Sequence, residues 1–313
     1  MAEREIVLLS GMHRSGTSAL ARVFNLAGAV LPEPLVAPAL GNELGHWEPA
    51  EAVAMNDAAL LAAGSDVNSL HPLSRDWVEN GGGEAFIEEV RAWLERVAPE
   101  GALTVVKDPR IARLAPFWRT AVERLGARPR VVVAWRDPWE VARSLSSRQL
   151  AHFPDEVWPP ARVELLWLRH QLDLERASRG APRSFVAYAD VLDDWRALLP
   201  RVFSDLDLPP PSVDAPAKLE IDGFLRPEAR RQHRRDEAEA GGEIARAVRL
   251  LEARVGDPVG GAKGFDKAAA RLDDALELFG GYLAALETRV AADAAGGEAG
   301  DARTLVAALG EAV

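Results

Sequence analysis

The sequence predicts an α/β fold: a parallel sheet of the P-loop type flanked by helices, with a helical C-terminal extension. Three observations point there. A short apolar run, "EIVLLS" (5–10), ends at a glycine-rich turn and leads into "GTSALARVFNLAG" (16–28), whose apolar residues recur at helical spacing with Gly28 as the stop. Three more near-continuous apolar runs, "ALTVVKD" (102–108), "RVVVAWRD" (130–137) and "SFVAYAD" (184–190), have the character of strands covered on both faces. Helical stretches lie between them, among them "AFIEEVRAWLERVA" (85–98) and "VELLWLRHQLDLERASRG" (163–180), and such alternation builds a parallel sheet with helices on both sides.

The chain of 313 residues is long enough for a large core. Residues 1–212 are expected to form the α/β domain, and 213–240 a basic, Pro-rich segment closing the nucleotide site. Residues 241–313 follow as the helical extension. The Pro-rich "PPPSVDAP" (209–216) marks the end of the sheet domain, the basic stretch is "RPEARRQHRRD" (226–236), and the Ala- and Glu-rich tail has helical periodicity. No repeat of solenoid period is present. A net charge of −11 supplies no global basic field for a nucleic-acid backbone or an anionic membrane. With no cysteine, thiol catalysis and Cys-ligated metal are excluded, and the six histidines show no paired metal spacing. The N-terminus runs straight into the first strand, and no run of about 18 apolar residues occurs, so a cytoplasmic protein without a membrane span is expected.

The chemistry begins at "LLSGMHRSGTSAL" (8–20). Gly11 and Gly16 have the separation of a phosphate-binding loop and Ser18 stands where such loops carry Ser or Thr, but Thr17 occupies the place of the Walker lysine. A glycine-rich turn between strand and helix aims backbone N–H groups and the positive end of the helix dipole at an anion. The cation here is Arg14, inside the loop, whose guanidinium can grip a terminal phosphate through two donors.

A second anion site is read from "RVVVAWRDPWEVARSLSSR". Arg136 ends a strand, Pro138 starts a helix, and Ser144 lies about two turns into it, so that arginine and serine can converge on one anion. Taken alone, Arg136 could equally cap a helix or form a salt bridge.

The pair "GMHRSGTSAL" and "RDPWEVARSL" resembles the 5′-phosphosulfate loop and the 3′-phosphate motif of sulfotransferases that use 3′-phosphoadenosine 5′-phosphosulfate (PAPS), most of all the bacterial branch. The resemblance extends loosely from residue 5 to about 230 and leaves the helical tail unexplained. It implies that Gly11, His13, Arg14, Ser15, Gly16, Thr17 and Ser18 bind the 5′-phosphate and that Arg136 and Ser144 bind the 3′-phosphate. Tyr188, at the end of the "SFVAY" strand, matches a tyrosine lining the adenine pocket of related enzymes, or is a half-buried strand aromatic. The product would be 3′,5′-ADP, with no metal needed. A basic C-terminal segment closes the 3′-phosphate site in relatives, a role open to the arginines of 226–235.

Sulfuryl transfer needs a base for the acceptor hydroxyl and cations for the bridging oxygen. Arg14 and Lys107 are the expected cations, Lys107 because "VVKDPR" resembles the KDP motif of tyrosylprotein sulfotransferases. Residues 29–50, rich in Pro and Gly, are too long for a simple connection and read as the catalytic loop. Of its candidates Glu33, Glu43, Glu48 and His46, Glu48 in "GHWEP" is favoured, because partial dehydration beside His46 and Trp47 is expected to raise its pKa. The expected acceptor is a sugar, small natural product or lipid headgroup, with "SLHPLSRDW" (69–77) lining that side and the tail available for homo-oligomer contacts. Two other readings stay open. In a metabolite kinase with an altered Walker loop, Asp108 would sit on magnesium at the end of a Walker B strand. A nucleotide-binding scaffold would bind the donor without turnover.

Overall fold

The computed structural model describes residues 4–40, 42–70, 72–152 and 158–225, together with residues 249 and 274. The basic stretch and the tail expected to be helical lie outside the described residues. Four strands, β1 (Glu5–Ser10), β2 (Leu103–Lys107), β3 (Pro129–Trp135) and β4 (Arg183–Ala187), form one sheet in the order β2-β1-β3-β4. Every pairing is parallel, with Leu8 opposite Val106 on one side and Val131 on the other, and Val133 opposite Phe185.

The helices are α1 (Thr17–Leu26), α2 (Ala50–Ala62), α3 (Arg75–Glu79), α4 (Gly82–Val97) and α5 (Ile111–Arg124), then α6 (Pro138–His152), α7 (Pro160–Ser178), α8 (Tyr188–Asp205) and α9 (Ala215–Phe224). The period-two alternation of a strand divides them between two layers. Val7 and Leu9 of β1 face a core with Phe24 of α1, Trp195 and Phe203 of α8, and Ile221 of α9. Ile6 and Leu8 face the opposite way, toward Leu60 of α2, Val90 and Leu94 of α4, and Trp118 of α5. Since both faces are covered, the strands carry apolar residues on both, with polar residues such as Glu5, Ser10, Lys107 and Arg183 at their ends. Ile221 and Leu225 lie in the same core as β1, so the α/β unit continues past residue 212.

The long stretch after α1 is partly ordered into helix. Residues 29–49 make only isolated bridges, such as Leu35 with Pro49, before α2 and α3 begin. Two elements end earlier than their apolar runs suggest: β2 stops at Lys107, and β4 stops at Ala187, so Tyr188 opens α8 instead of closing a strand. Among the described residues, no helix is long and apolar enough to cross a membrane.

Trp118 links the second core to the sheet's carboxyl edge. Its indole is fully buried and its Nε1 donates to Asn56 Oδ1 at 2.8 Å, while Asn56 Nδ2 donates to Asp108 Oδ2 at 2.8 Å. Trp118→Ala is therefore expected to cost about 3–5 kcal/mol through cavity formation. Urea unfolding measures it, with Trp118→Phe, which removes only the donor and part of the ring, expected to lose distinctly less. Equal losses would mean that cavity volume is not the dominant cost.

Candidate active site

The phosphate loop connects β1 to α1 over Gly11–Gly16, and its shape is imposed by what surrounds it. A Cβ on Gly11 would stand 2.6 Å from the Ala134 carbonyl of β3, and one on Gly16 would stand 2.3 Å from the Tyr188 ring. Arg14 and Gly16 both take the left-handed conformation, at φ 70° and 87°. Gly16 is the N-cap of α1, with no side-chain cap and no acidic residue in the first turn, so the helix opens with its amides uncapped by its own sequence. Ser15 Oγ is buried and has no hydrogen-bond partner. An orphaned hydroxyl at an uncapped helix N-terminus fits an anionic ligand, which would satisfy both.

The second motif is brought onto this loop. Arg136 Nη1 donates to the Arg14 carbonyl at 3.0 Å, and Arg14 Nε donates to Ser144 Oγ at 3.0 Å. Arg136 and Ser144 thus both contact Arg14, which sets the second motif against the glycine-rich loop. Sequence reasoning missed Glu140, one helical turn beyond Arg136 in the same motif. Its buried carboxylate accepts from Arg136 Nε at 3.0 Å and orients the guanidinium. Tyr188 differs from expectation in place and in contacts. Its ring packs on Gly16 while the Arg136 guanidinium lies 4.8 Å above it, so it fills the space between the two motifs.

Lys107 is the meeting point of β2, α1 and the 29–50 loop. Its buried ammonium donates to Glu48 Oε1 at 2.5 Å, His46 O at 2.9 Å and Ser18 Oγ at 3.3 Å. An ammonium has three donors, and each has an acceptor. The Ser18 hydroxyl in turn donates to His46 O at 3.1 Å, so its proton points to the 29–50 loop and not into the glycine-rich loop. Of the loop carboxylates, Glu48 is 7% exposed, whereas Glu33 and Glu43 lie at the surface.

Burial does push the Glu48 carboxyl upward, as expected, but Lys107, with Arg110 3.8 Å away and His46, outweighs it and holds the pKa below the ordinary value. The expected rise is corrected to a fall. Desolvation lowers His46, and burial brings His13 down to about 4 against the opposing effect of its hydrogen bond to Asn68. His13 Nε2 lies 3.1 Å from Asn68 Oδ1, which ties the phosphate loop to the 63–74 connection, a contact with no signature in the sequence. Asp108 is fully buried, and burial raises its carboxyl despite Arg110. Its Oδ2 accepts from Asn56, while Oδ1 accepts from Arg110 N at 2.9 Å and Arg110 Nη1 at 3.1 Å. Both oxygens are committed to protein, which is not how a carboxylate awaiting magnesium is arranged. Among the described residues, no group of three His, Cys, Asp or Glu side chains is placed to hold a metal ion.

No family model and no curated protein sequence matches the chain. Among solved structures, it is similar to the sulfotransferase domain from the curacin biosynthetic pathway, at 16% identity and a TM-score of 0.40, over 88% of this chain and 97% of that one. It is also similar to sulfotransferase STF1 from Mycobacterium tuberculosis H37Rv, at 17% identity and a TM-score of 0.36, over 81% of this chain and 77% of that one.

The ion pair yields a pH-dependent prediction. A carboxyl whose pKa is lower folded than unfolded adds stability above the unfolded value, and that stability is lost as pH falls through the folded value. Glu48→Gln, which leaves Lys107 buried without its counterion, is expected to cost roughly 3 kcal/mol at pH 7. The difference from wild type should shrink once the pH drops below the lowered Glu48 pKa, where Glu48 is itself neutral. Denaturant unfolding at both pH values tests this, and a pH-independent difference would refute it.

Proposed function

We propose that this protein transfers the sulfuryl group of PAPS to a hydroxyl of a sugar, small natural product or lipid headgroup. One observation carries the reading. The motif of Arg136 and Ser144 meets the glycine-rich loop, more than a hundred residues earlier in the chain, at Arg14: Arg136 donates to the Arg14 carbonyl and Arg14 Nε donates to Ser144 Oγ. A donor with a 5′-phosphosulfate and a separate 3′-phosphate needs two such sites side by side, and a γ-phosphate-binding lysine has no part in it.

In this reading the amides of Gly11–Ser18 and the orphaned Ser15 hydroxyl hold the 5′-phosphate, and Arg136 with Ser144 holds the 3′-phosphate. Glu48 takes the proton of the acceptor hydroxyl as its oxygen attacks sulfur. The bond from sulfur to the phosphate oxygen breaks, and the negative charge that grows there is met by Arg14 and by Lys107, which gives up one of its acceptors to reach it. The products are the sulfated acceptor and 3′,5′-ADP. Glu48 suits the role because the neighbouring cations keep it ionised. The same cations weaken its basicity, so Lys107 must turn from Glu48 to the donor as the proton moves. A cytoplasmic setting and a small acceptor, with no nucleic acid, belong to the same proposal.

The donor is tested by thermal unfolding. 3′,5′-ADP at a concentration 100 times its Kd should stabilise the protein by about 2.7 kcal/mol, with a much smaller effect from ATP and magnesium. An equal or larger shift with ATP would sink the assignment. For the second phosphate site, Arg136→Ala should weaken 3′,5′-ADP about tenfold or more by calorimetry, since a hydrogen bond to a charged group contributes roughly 1.5–3 kcal/mol. Binding of 5′-AMP, which lacks the 3′-phosphate, should fall much less. Parallel losses for both ligands would show that Arg136 serves only to hold the loop.

A further inference from the structure

Trp47 stands in the chain between the two loop groups that bind Lys107, the His46 carbonyl and the Glu48 carboxylate. Its backbone has φ 58°, a left-handed conformation that a bulky residue rarely adopts. This reversal lets consecutive residues turn a carbonyl and a side chain toward the same ammonium. Glycine would make the same turn without strain, so what tryptophan adds is its indole. That ring lies under the Arg22 guanidinium of α1, 4.6 Å from its carbon, and meets Phe224 of α9 edge-on at 6.4 Å. Arg22 is itself held by Asn25 and by Glu220 of α9. The indole therefore belongs to the core between α1 and α9, while the strained backbone beside it carries the base.

We infer that Trp47 is a positioning residue for Glu48: its indole, braced between Arg22 and Phe224, holds the left-handed turn that keeps the carboxylate against Lys107. Strained backbone persists where its surroundings over-determine it, and such positions cluster at functional sites. The inference rests on the reading of Glu48 as the base. The charged and titratable groups around Glu48 come from every neighbouring element: Lys107 at the end of β2, Asp108 and Arg110 just after it, His46 in its own loop and His13 in the phosphate loop. Released from the brace, Glu48 moves away from the cations, and its pKa rises from the lowered value toward the ordinary one.

Carbon-13 NMR of the glutamate carboxyls, with the Glu48 signal assigned through Glu48→Gln, reads this directly. In Trp47→Ala the Glu48 titration should move up from its lowered value toward that of an ordinary glutamate. Trp47→Phe keeps a ring in the brace and should titrate like wild type, although it lacks the indole N–H, which is buried and unpartnered. Phe224→Ala removes one side of the brace, leaves Trp47 in place and should move Glu48 in the same direction by less, so it also serves if Trp47→Ala does not fold. With an acceptor in hand, Trp47→Ala should lower kcat by about tenfold or more, a part of what removal of a positioned base costs. The acid limb of its pH profile should shift upward while the Kd for 3′,5′-ADP stays within about twofold of wild type, because the brace lies outside both anion-binding motifs. An unmoved Glu48 titration in both Trp47→Ala and Phe224→Ala would overturn the inference. So would a Trp47→Phe variant displaced as far as Trp47→Ala, since the N–H and not the brace would then matter. Failure of the wild-type protein to bind 3′,5′-ADP or transfer sulfate would instead refute the proposed function, while the carboxyl titration would still report on the brace.

Discussion

A buried ammonium has to find an acceptor for each of its protons, and Lys107 finds its three in two separate parts of the chain. The Ser18 hydroxyl belongs to the first turn of α1, and the His46 carbonyl and Glu48 carboxylate belong to a loop with little secondary structure of its own. That loop has few other reasons to adopt one shape. Val36 N donates to Glu48 O and Ala50 N to Pro34 O, which fastens its ends, but the ammonium fixes its tip over the phosphate loop. The carboxylate is equally dependent, because without Lys107 it would be a poorly compensated charge at 7% exposure.

The phosphate loop obeys a different constraint, that of close approach. Its first glycine is pressed against the β3 backbone and its second against Tyr188, so the loop has almost no room to relax. Arg136 then binds the carbonyl of Arg14, the loop's non-glycine residue of positive φ, and Glu140 holds Arg136. Strain at Arg14 is thus offset by the motif that carries Arg136 and Glu140. In the proposed reading this is preorganisation: the protein itself holds the donors in place, so less ordering would be left to do on binding. Cations are concentrated here in a chain whose net charge is −11, so the attraction for an anion is local to the site.

Support for the site reaches into the second core through polar contacts. Trp118, Asn56 and Asp108 form a buried chain of hydrogen bonds that ends beside Arg110, which also touches Asp57 of α2 at 2.5 Å and lies 3.8 Å from Glu48. A buried polar network of this kind is stabilising only when its members are satisfied, and the indole and amide donors of this chain each have an acceptor. The helices after the loop therefore support Glu48 from behind, while α1 and α9 pack against Trp47 beside it.

Much of this was legible in the sequence. Apolar runs covered on both faces marked the four strands, since a parallel sheet must exclude water from both sides. Gly11, Arg14 and Gly16 marked the anion loop because few other chemistries put glycines and an arginine between a strand and a helix. That Arg136 and Ser144 lie on the same side of one strand–helix motif followed from helical geometry, but their shared contact with Arg14 did not. That Glu48, and not Glu33 or Glu43, is the dehydrated carboxylate of this loop was also readable from its neighbours His46 and Trp47, although the sign of its pKa shift was not. That sign depends on Lys107 and Arg110, about sixty residues further along, and no local pattern reports how close a distant cation will come. Tyr188 reads as a strand residue because an apolar run does not show where a strand yields to a helix. The contacts of Asn68 with His13, Asn56 with Asp108 and Trp47 with Phe224 were invisible because they join residues far apart in the chain. Sequence alone determined the order and kind of the main strands and helices and the glycine-and-arginine character of the loop after β1, because these depend on neighbours in the chain. Which carboxylate is buried against which cation was decided by the tertiary structure, because charge interactions depend on distance and dielectric, and the fold alone sets both.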